Sequence, residues 1–204
     1  MVEVQLRRRG IRERRVLDAM RQIPREEFVP PEARVSSYQD DPVYIGYGQT
    51  ISQPFMTAFM AELLELEGSE TVLDVGGGSG YHAAVLGMLA ARVVSIEIIP
   101  ALAAVASANL TRTGRAGNVT VVCGDGSRGW PEQAPYRCIS VAAGAPEVPP
   151  ALIEQLADPG RLVIPVGPME DQELLVIDKR NGMLDRHVAG YCRFVPLRGG
   201  GGWR

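Results

Sequence analysis

Apolar and polar positions follow two rhythms along the chain. Ile11, Val16, Leu17, Met20 and Ile23 fall near one helical face, and Pro24 stops that helix. A second helix starts at Pro54, a residue suited to a first helical turn. Its stripe of Phe55, Phe59, Met60, Leu63, Leu64 and Leu66 ends at Gly68. Short apolar runs then alternate with helical patterns. "TVLDV" (71–75) reads as a buried strand and "YHAAVLGMLA" (81–90) as a helix. "RVVSIEI" (92–98) is a strand, and "PALAAVASANLTRTG" (100–114) is a helix that Gly114 closes. "NVTVVCGD" (118–125) and "RCISVAAG" (137–144) are further strands, "PALIEQLAD" (150–158) a helix, and "GRLVIPVG" (160–167) a strand.

Strand and helix in regular succession imply parallel pairing with crossover helices, hence a doubly wound α/β sheet. The last third differs. Two extended runs flank Asn181-Gly182, a strong hairpin signal, so the sheet is expected to end in an antiparallel hairpin. Residues 29–54 are rich in Pro, Gly, Ser and Asp and read as a long irregular segment, which in a compact domain is often functional. The final "RGGGGWR" (198–204) reads as a loose tail.

With 204 residues, one domain is expected. Its parts would be an N-terminal helical and substrate-side segment (1–53), a Rossmann-like core (54–197) and the tail (198–204). The chain is 46% hydrophobic and 22% charged, with a net charge of −3, and lacks the basic excess of a nucleic-acid binder. Arg7, Arg8, Arg9, Arg12, Arg14 and Arg15 alternate with Glu3, Glu13 and Asp18, as on a solvated helix face. Cys123, Cys138 and Cys192 form no CxxC pair and read as reduced thiols. No apolar run is long enough to cross a bilayer, and no signal-peptide pattern follows the N-terminus. A cytoplasmic monomer without metal, membrane or nucleic-acid partner is the expectation.

Four glycines in positions 76–80 follow the first core strand. Glycine is entropically costly, so such a cluster has a turn, a close packing contact or a ligand behind it. Ligands bind at this end of a strand in doubly wound sheets. Gly76, Gly78 and Gly80 give GxGxG, whereas a dinucleotide site uses GxGxxG and would place glycine where Tyr81 stands. Glu97 ends the second strand, seventeen positions after Gly80, where a carboxylate can accept two ribose hydroxyls. Asp125 ends the third strand. Its carboxylate could accept from an adenine amine, with Gly126 leaving room for the ring. Together these features describe an S-adenosylmethionine pocket, with Gly76, Gly77, Gly78, Ser79, Gly80, Glu97, Asp125 and Gly126 as its candidates. A purely structural glycine turn and an NAD site remain the alternatives.

The chain resembles the protein-L-isoaspartate (D-aspartate) O-methyltransferases. "VLDVGGGSGY" (72–81) resembles their first methyltransferase motif, and "GYGQTISQP" (46–54) their substrate-side signature. "IPREEFVP" (23–30), "GDGSRGWPEQAPY" (124–136), "APEVPPALIEQL" (145–156), "LVIPVG" (162–167) and "RFVPL" (193–197) follow in the family's order. The resemblance implies an S-adenosylmethionine-dependent carboxyl methyltransferase that repairs L-isoaspartyl residues. It places Ser52 at the active site, Gln49 and Thr50 beside the cofactor, and Ile51 and Val195 with Ser52 against the substrate. Tyr44, Tyr47, Gly77 and Arg137 depart from the family's pattern. Tyr44, Tyr47 and Arg137 keep open a carboxyl methyltransferase dedicated to one biosynthetic peptide; a protein that binds the cofactor without catalysis is a further alternative.

Methyl transfer to a carboxylate needs no general base, because the nucleophile is already ionised at neutral pH. That accounts for a chain with two histidines, His82 and His187, both read as structural or solvent-facing. Ser52 reads as a hydrogen-bond donor to the substrate carboxylate, as an N-cap for the helix at Pro54, or as both.

Overall fold

The computed structural model describes residues 1–203. Helix α1 (Arg14–Gln22) buries Val16, Leu17 and Met20 of the expected face, with Ala19; Ile11 and Ile23 are buried too but lie beyond its ends. The Glu13 side chain caps it by accepting from the Arg15 N–H. Two tight helical turns, Arg25–Phe28 and Pro31–Ser36, lead away from it. Residues 29–54 are not wholly irregular, because β1 (Val43–Gly46) and β2 (Gln49–Ile51) form an antiparallel hairpin. Three consecutive residues at its tip, Gly46, Tyr47 and Gly48, have φ of 96°, 56° and 72°. Tyr47 is the strained one, since a side chain in the left-handed region costs about 1–2 kcal/mol.

Helix α2 (Pro54–Leu63) precedes β3 (Thr71–Val75), α3 (Tyr81–Gly87), β4 (Arg92–Glu97), α4 (Pro100–Arg112) and β5 (Val119–Cys123). Then come β6 (Tyr136–Val141), α5 (Pro150–Glu154), β7 (Leu156–Val166), β8 (Gln172–Arg180) and β9 (Met183–Cys192). The seven-stranded sheet has the order β5-β4-β3-β6-β7-β8-β9. Strands β3 to β7 are parallel, and β8 and β9 are antiparallel. The hairpin at Asn181-Gly182 forms as read: both residues have positive φ, and both N–H groups donate to the Asp158 carboxylate. The eighth core element is shorter than its pattern. Helix α5 ends at Glu154, because Leu156 already pairs with Tyr136 as the first residue of β7.

Both faces of the inner strands β3, β4 and β6 are buried, as their near-continuous apolar runs require. Val72, Val93, Cys138, Val163 and Val176 face α1, α2 and α3. Leu73, Val75, Val94, Ile96, Ile139, Val141 and Leu162 face the α5 side with Leu152 and Leu197. Each such side chain contributes about 1.5–3 kcal/mol when fully buried. The chain winds outward from β3 through β4 to β5, then crosses back to β6 on the other side of β3. That reversal opens a crevice between the carboxyl ends of β3 and β6, the place where such sheets take ligands.

The last residues differ from the loose tail the glycine run implied. Trp203 donates its main-chain N–H to the Leu197 carbonyl at 2.7 Å and its ring N–H to the Gly144 carbonyl at 3.1 Å. Residue 204, part of that expected tail, lies outside the described residues.

Candidate active site

The glycine loop bends directly out of β3. The Gly76 and Gly77 N–H groups both donate to the Ile96 carbonyl, at 2.9 and 3.1 Å. Gly76, Gly78 and Gly80 have φ of 89°, 53° and 86°, which only glycine adopts without strain. The glycines then divide by task. Gly76 and Gly78 line a cleft. Gly77 and Gly80 do not, and each answers a packing demand. A Cβ on Gly77 would come within 2.5 Å of the Ser95 hydroxyl, and one on Gly80 within 3.2 Å of the Ala106 backbone in α4. Ser79 is buried behind the loop, and its carbonyl accepts from the Asn109 amide at 2.9 Å.

Glu97 is 5% exposed and closes the loop from β4. Its two carboxylate oxygens accept from the Gly78 and Ile99 N–H groups, each at 2.8 Å. Beneath the loop, Ser95 donates to Asp74 at 2.8 Å, and His82 Nδ1 lies 3.3 Å from the other Asp74 oxygen. His82 thus belongs to the support of the loop, not to the cleft.

The cleft brings together Gln49, Thr50, Gly76, Gly78, Glu97, Gly126 and Val195, all expected from the sequence. Ile98 and Ile99 after β4, Ala142 and Ala143 after β6, and Arg198 complete its walls and were not anticipated. The alanine pair stands at a strand end beside the crevice, so the topology rule could have found it. Arg198 carried no such signal.

A second cleft adjoins the first. It is lined by Ser52, Gln53, Tyr191 and Arg193, and shares Thr50, Ala142 and Val195 with its neighbour. Arg193 is the one charged residue among the described residues that line it. The Cys192 thiol there is pushed up to about 11 by burial, so it is neutral at physiological pH. Ile51 turns away from both clefts into the core, at 6% exposure.

Two readings of Ser52 separate here. Gln53 stands at the cap of α2 and makes no side-chain capping bond, while Asp40 accepts from the Phe55 N–H at 2.9 Å. The capping task falls to Asp40, which leaves the Ser52 hydroxyl free of it. The Ser52 carbonyl is held by Arg25, a fully buried residue that sequence reasoning missed. Arg25 donates to Ser52 at 2.8 Å and Ser37 at 2.6 Å, and its guanidinium lies 4.9 Å from the Tyr81 ring centroid. Burial lowers its pKa. Tyr81, the bulky residue that argued against a dinucleotide, stacks edge-on against Phe28. It ties the N-terminal segment to the start of α3.

Asp125 stands just outside the first cleft, next to Gly126. Its carboxylate accepts from the Ser127 N–H and hydroxyl, and from the Gly200 N–H at 2.8 Å. Burial pushes its pKa up, but these donors outweigh that and hold it below the usual carboxylate range. The described residues contain no cluster of three or more potential metal ligands.

The bare backbone at Gly76 and Gly78, the Glu97 carboxylate and the apolar walls suit a nucleoside with no phosphate. Comparison with known proteins agrees. The family profile of protein-L-isoaspartate(D-aspartate) O-methyltransferase matches residues 1–201. A protein-L-isoaspartate O-methyltransferase 2 of Marinobacter nauticus is 56% identical over 205 residues, covering all of this chain and 93% of that protein. A protein-L-isoaspartate O-methyltransferase of Methanoculleus marisnigri is 51% identical, covering all of this chain and 92% of that protein. A solved protein-L-isoaspartate O-methyltransferase superposes with a TM-score of 0.86 at 32% identity, over 99% of this chain and 67% of that one. A structure assigned to a Plasmodium falciparum enzyme of this kind, in complex with S-adenosyl-L-homocysteine, gives 0.79 at 30% identity, over 97% and 96% of the two chains. The chain therefore belongs to the protein-L-isoaspartate (D-aspartate) O-methyltransferase family.

Proposed function

We propose that this chain is an S-adenosylmethionine-dependent carboxyl methyltransferase acting on the α-carboxylate of L-isoaspartyl residues in damaged proteins. The observation that carries the reading is the wall shared by the two clefts, Thr50, Ala142 and Val195. A ligand on the glycine loop and a peptide beside Ser52 would meet across it.

Bound S-adenosylmethionine supplies an electrophilic methyl group on a sulfonium sulfur. The residues of the chain supply positions. Gly76 and Gly78 leave main chain bare for the ligand, Glu97 offers its carboxylate to the ribose, and Gln49 and Thr50 line the side toward the peptide. Ser52 donates its hydroxyl to one oxygen of the substrate carboxylate and leaves the other free to attack. Arg193 draws the anionic peptide in but loses that attraction once the ester is formed, which favours release. No base is required. Positioning of this kind can supply several kcal/mol, up to about 7–11 in ideal cases. The neighbouring amide nitrogen attacks the ester carbonyl and methanol leaves, far more readily than hydroxide would leave the acid, so ring closure to the succinimide proceeds off the enzyme.

The same reading takes the chain as one methyltransferase domain, a monomer, working in the cytoplasm. Its three free cysteines suit a reducing compartment. No helix is long and apolar enough to cross a membrane.

Incubation with tritiated S-adenosylmethionine and an isoaspartyl peptide, with the normal aspartyl twin as control, tests the activity. Base-labile methyl ester on the isoaspartyl peptide alone is expected. Equal labelling of both peptides, or of neither, contradicts it.

A further inference from the structure

We propose that residues 198–203 are part of the cofactor site: a strap, anchored on Asp125 and Trp203, that walls one end of the first cleft and slows release of its ligand. This rests on the cofactor reading above.

The strap leaves the core at a fixed point. Gly144 and Pro196 form a bridge, with the Gly144 N–H donating to Val195 and the Leu197 N–H to Gly144, both at 2.8 Å. Pro196, Leu197 and Arg198 already line the cleft. Beyond them the glycine run turns back. Gly199 has φ of 135°, and the Gly202 N–H closes the turn onto the Gly199 carbonyl at 3.2 Å. Gly200 donates to Asp125 and Gly201 to the Ser127 hydroxyl, each at 2.8 Å. Trp203 then pins the far end through its two bonds to Leu197 and Gly144.

These glycines are demanded by contact. A Cβ on Gly199 would overlap the Asp125 carboxylate, and one on Gly202 the Leu197 carbonyl. A flexible tether would show neither constraint. The anchor also lies one residue from the ligand space, since Asp125 precedes Gly126, which lines the cleft. The first of the two anchors is a carboxylate taking one N–H from the strap, that of Gly200, and the second an indole N–H on a carbonyl. Opening the strap breaks both and removes the Arg198 wall. Ligand bound in the cleft and a closed strap therefore stabilise each other.

The test uses the full chain and two variants, Gly199→Val and Trp203→Ala, with S-adenosylhomocysteine as the probe. Calorimetry and stopped-flow displacement give Kd and the release rate. Loss of one anchoring hydrogen bond, about 1 kcal/mol, corresponds to release about fivefold faster. Either variant that folds is expected to show this, with a matching rise in the KM for S-adenosylmethionine and no rise in the KM for the peptide. In the wild-type chain, amide exchange at residues 199–203 is expected to slow when the probe binds. Unchanged release in a folded variant, or unchanged exchange in the wild type, overturns the strap. Failure of the wild-type chain to bind the probe overturns the cofactor reading itself.

Discussion

Two glycine-rich stretches in this chain make the same contact, one in the wall of the cleft and one just outside it. At Gly78 and at Gly200, a bare main-chain N–H meets a strand-end carboxylate at 2.8 Å, Glu97 in the first case and Asp125 in the second. They differ in surroundings. Glu97 is 5% exposed, and its loop is wedged between β3, β4 and α4. The Asp125 side chain is 24% exposed, and its glycine run is held at the edge by two anchors. The first stretch is built into the sheet and shapes the site whether or not ligand is present. The second closes over it. Similar composition thus encodes a fixed cradle in one place and a removable wall in the other, and what decides is how much of the sheet surrounds it.

The largest effect is expected at the cradle. Gly78→Val forces a branched residue into φ of 53° and sets a Cβ about 3.3 Å from the Ile45 methyl. S-adenosylhomocysteine affinity should fall by roughly 100-fold or more on isothermal titration. Near-normal affinity would mean that the loop does not carry the ligand. Next comes Arg25→Met, which touches neither glycine carboxylate and strips buried donors from the Ser37 and Ser52 carbonyls. At about 1–3 kcal/mol for each orphaned group, urea denaturation should show a loss of several kcal/mol. A loss under about 1 kcal/mol would show that water replaces the guanidinium.

Ser52→Ala follows. Removal of a hydrogen bond to a charged carboxylate, about 1.5–3 kcal/mol, lowers kcat/KM for the isoaspartyl peptide by roughly 10- to 100-fold. Probe affinity should hold, and equal loss of both would assign Ser52 to the fold. Asp125→Asn is the smallest, with probe binding weakened about fivefold in line with one lost anchor. Its pH dependence has a definite sign. The folded-state pKa of Asp125 is lowered, so its contribution is present above the unfolded value near 4 and lost as pH falls through the folded one. The stability difference between wild type and Asp125→Asn should be flat from neutral pH down to about 5 and vanish in stronger acid. A difference that grows on acidification would contradict the anchor.

The cradle was legible in the sequence and the strap was not, for a physical reason. Gly76 to Gly80 sit between a strand pattern and a helix pattern, so position in the fold supplied the meaning. Gly199 to Gly202 follow no such frame, and a glycine run alone does not reveal that Asp125, more than seventy positions earlier, lies against it. The same limit applies at residues 43–51, where the turn rests on three left-handed residues and one of them is Tyr47. Arg25 escaped notice because a lone arginine after Pro24 reads as surface. Only the packing of Phe28 and Tyr81 around it makes it a buried strut. The parallel core came through because β3, β4 and β6 are apolar enough to be buried on both faces. The end of α5 did not, since Leu156 fits a helix or a strand until Tyr136 is placed beside it.

The most direct measurement is a crystal structure of the chain with S-adenosylhomocysteine and an isoaspartyl peptide. The account predicts the adenosyl group along Gly76 and Gly78, its ribose hydroxyls on Glu97, its sulfur directed across Thr50 toward Ser52, and residues 198–203 closed over the base. An adenosyl group bound elsewhere, or a peptide carboxylate out of reach of Ser52 and the sulfur, would contradict it.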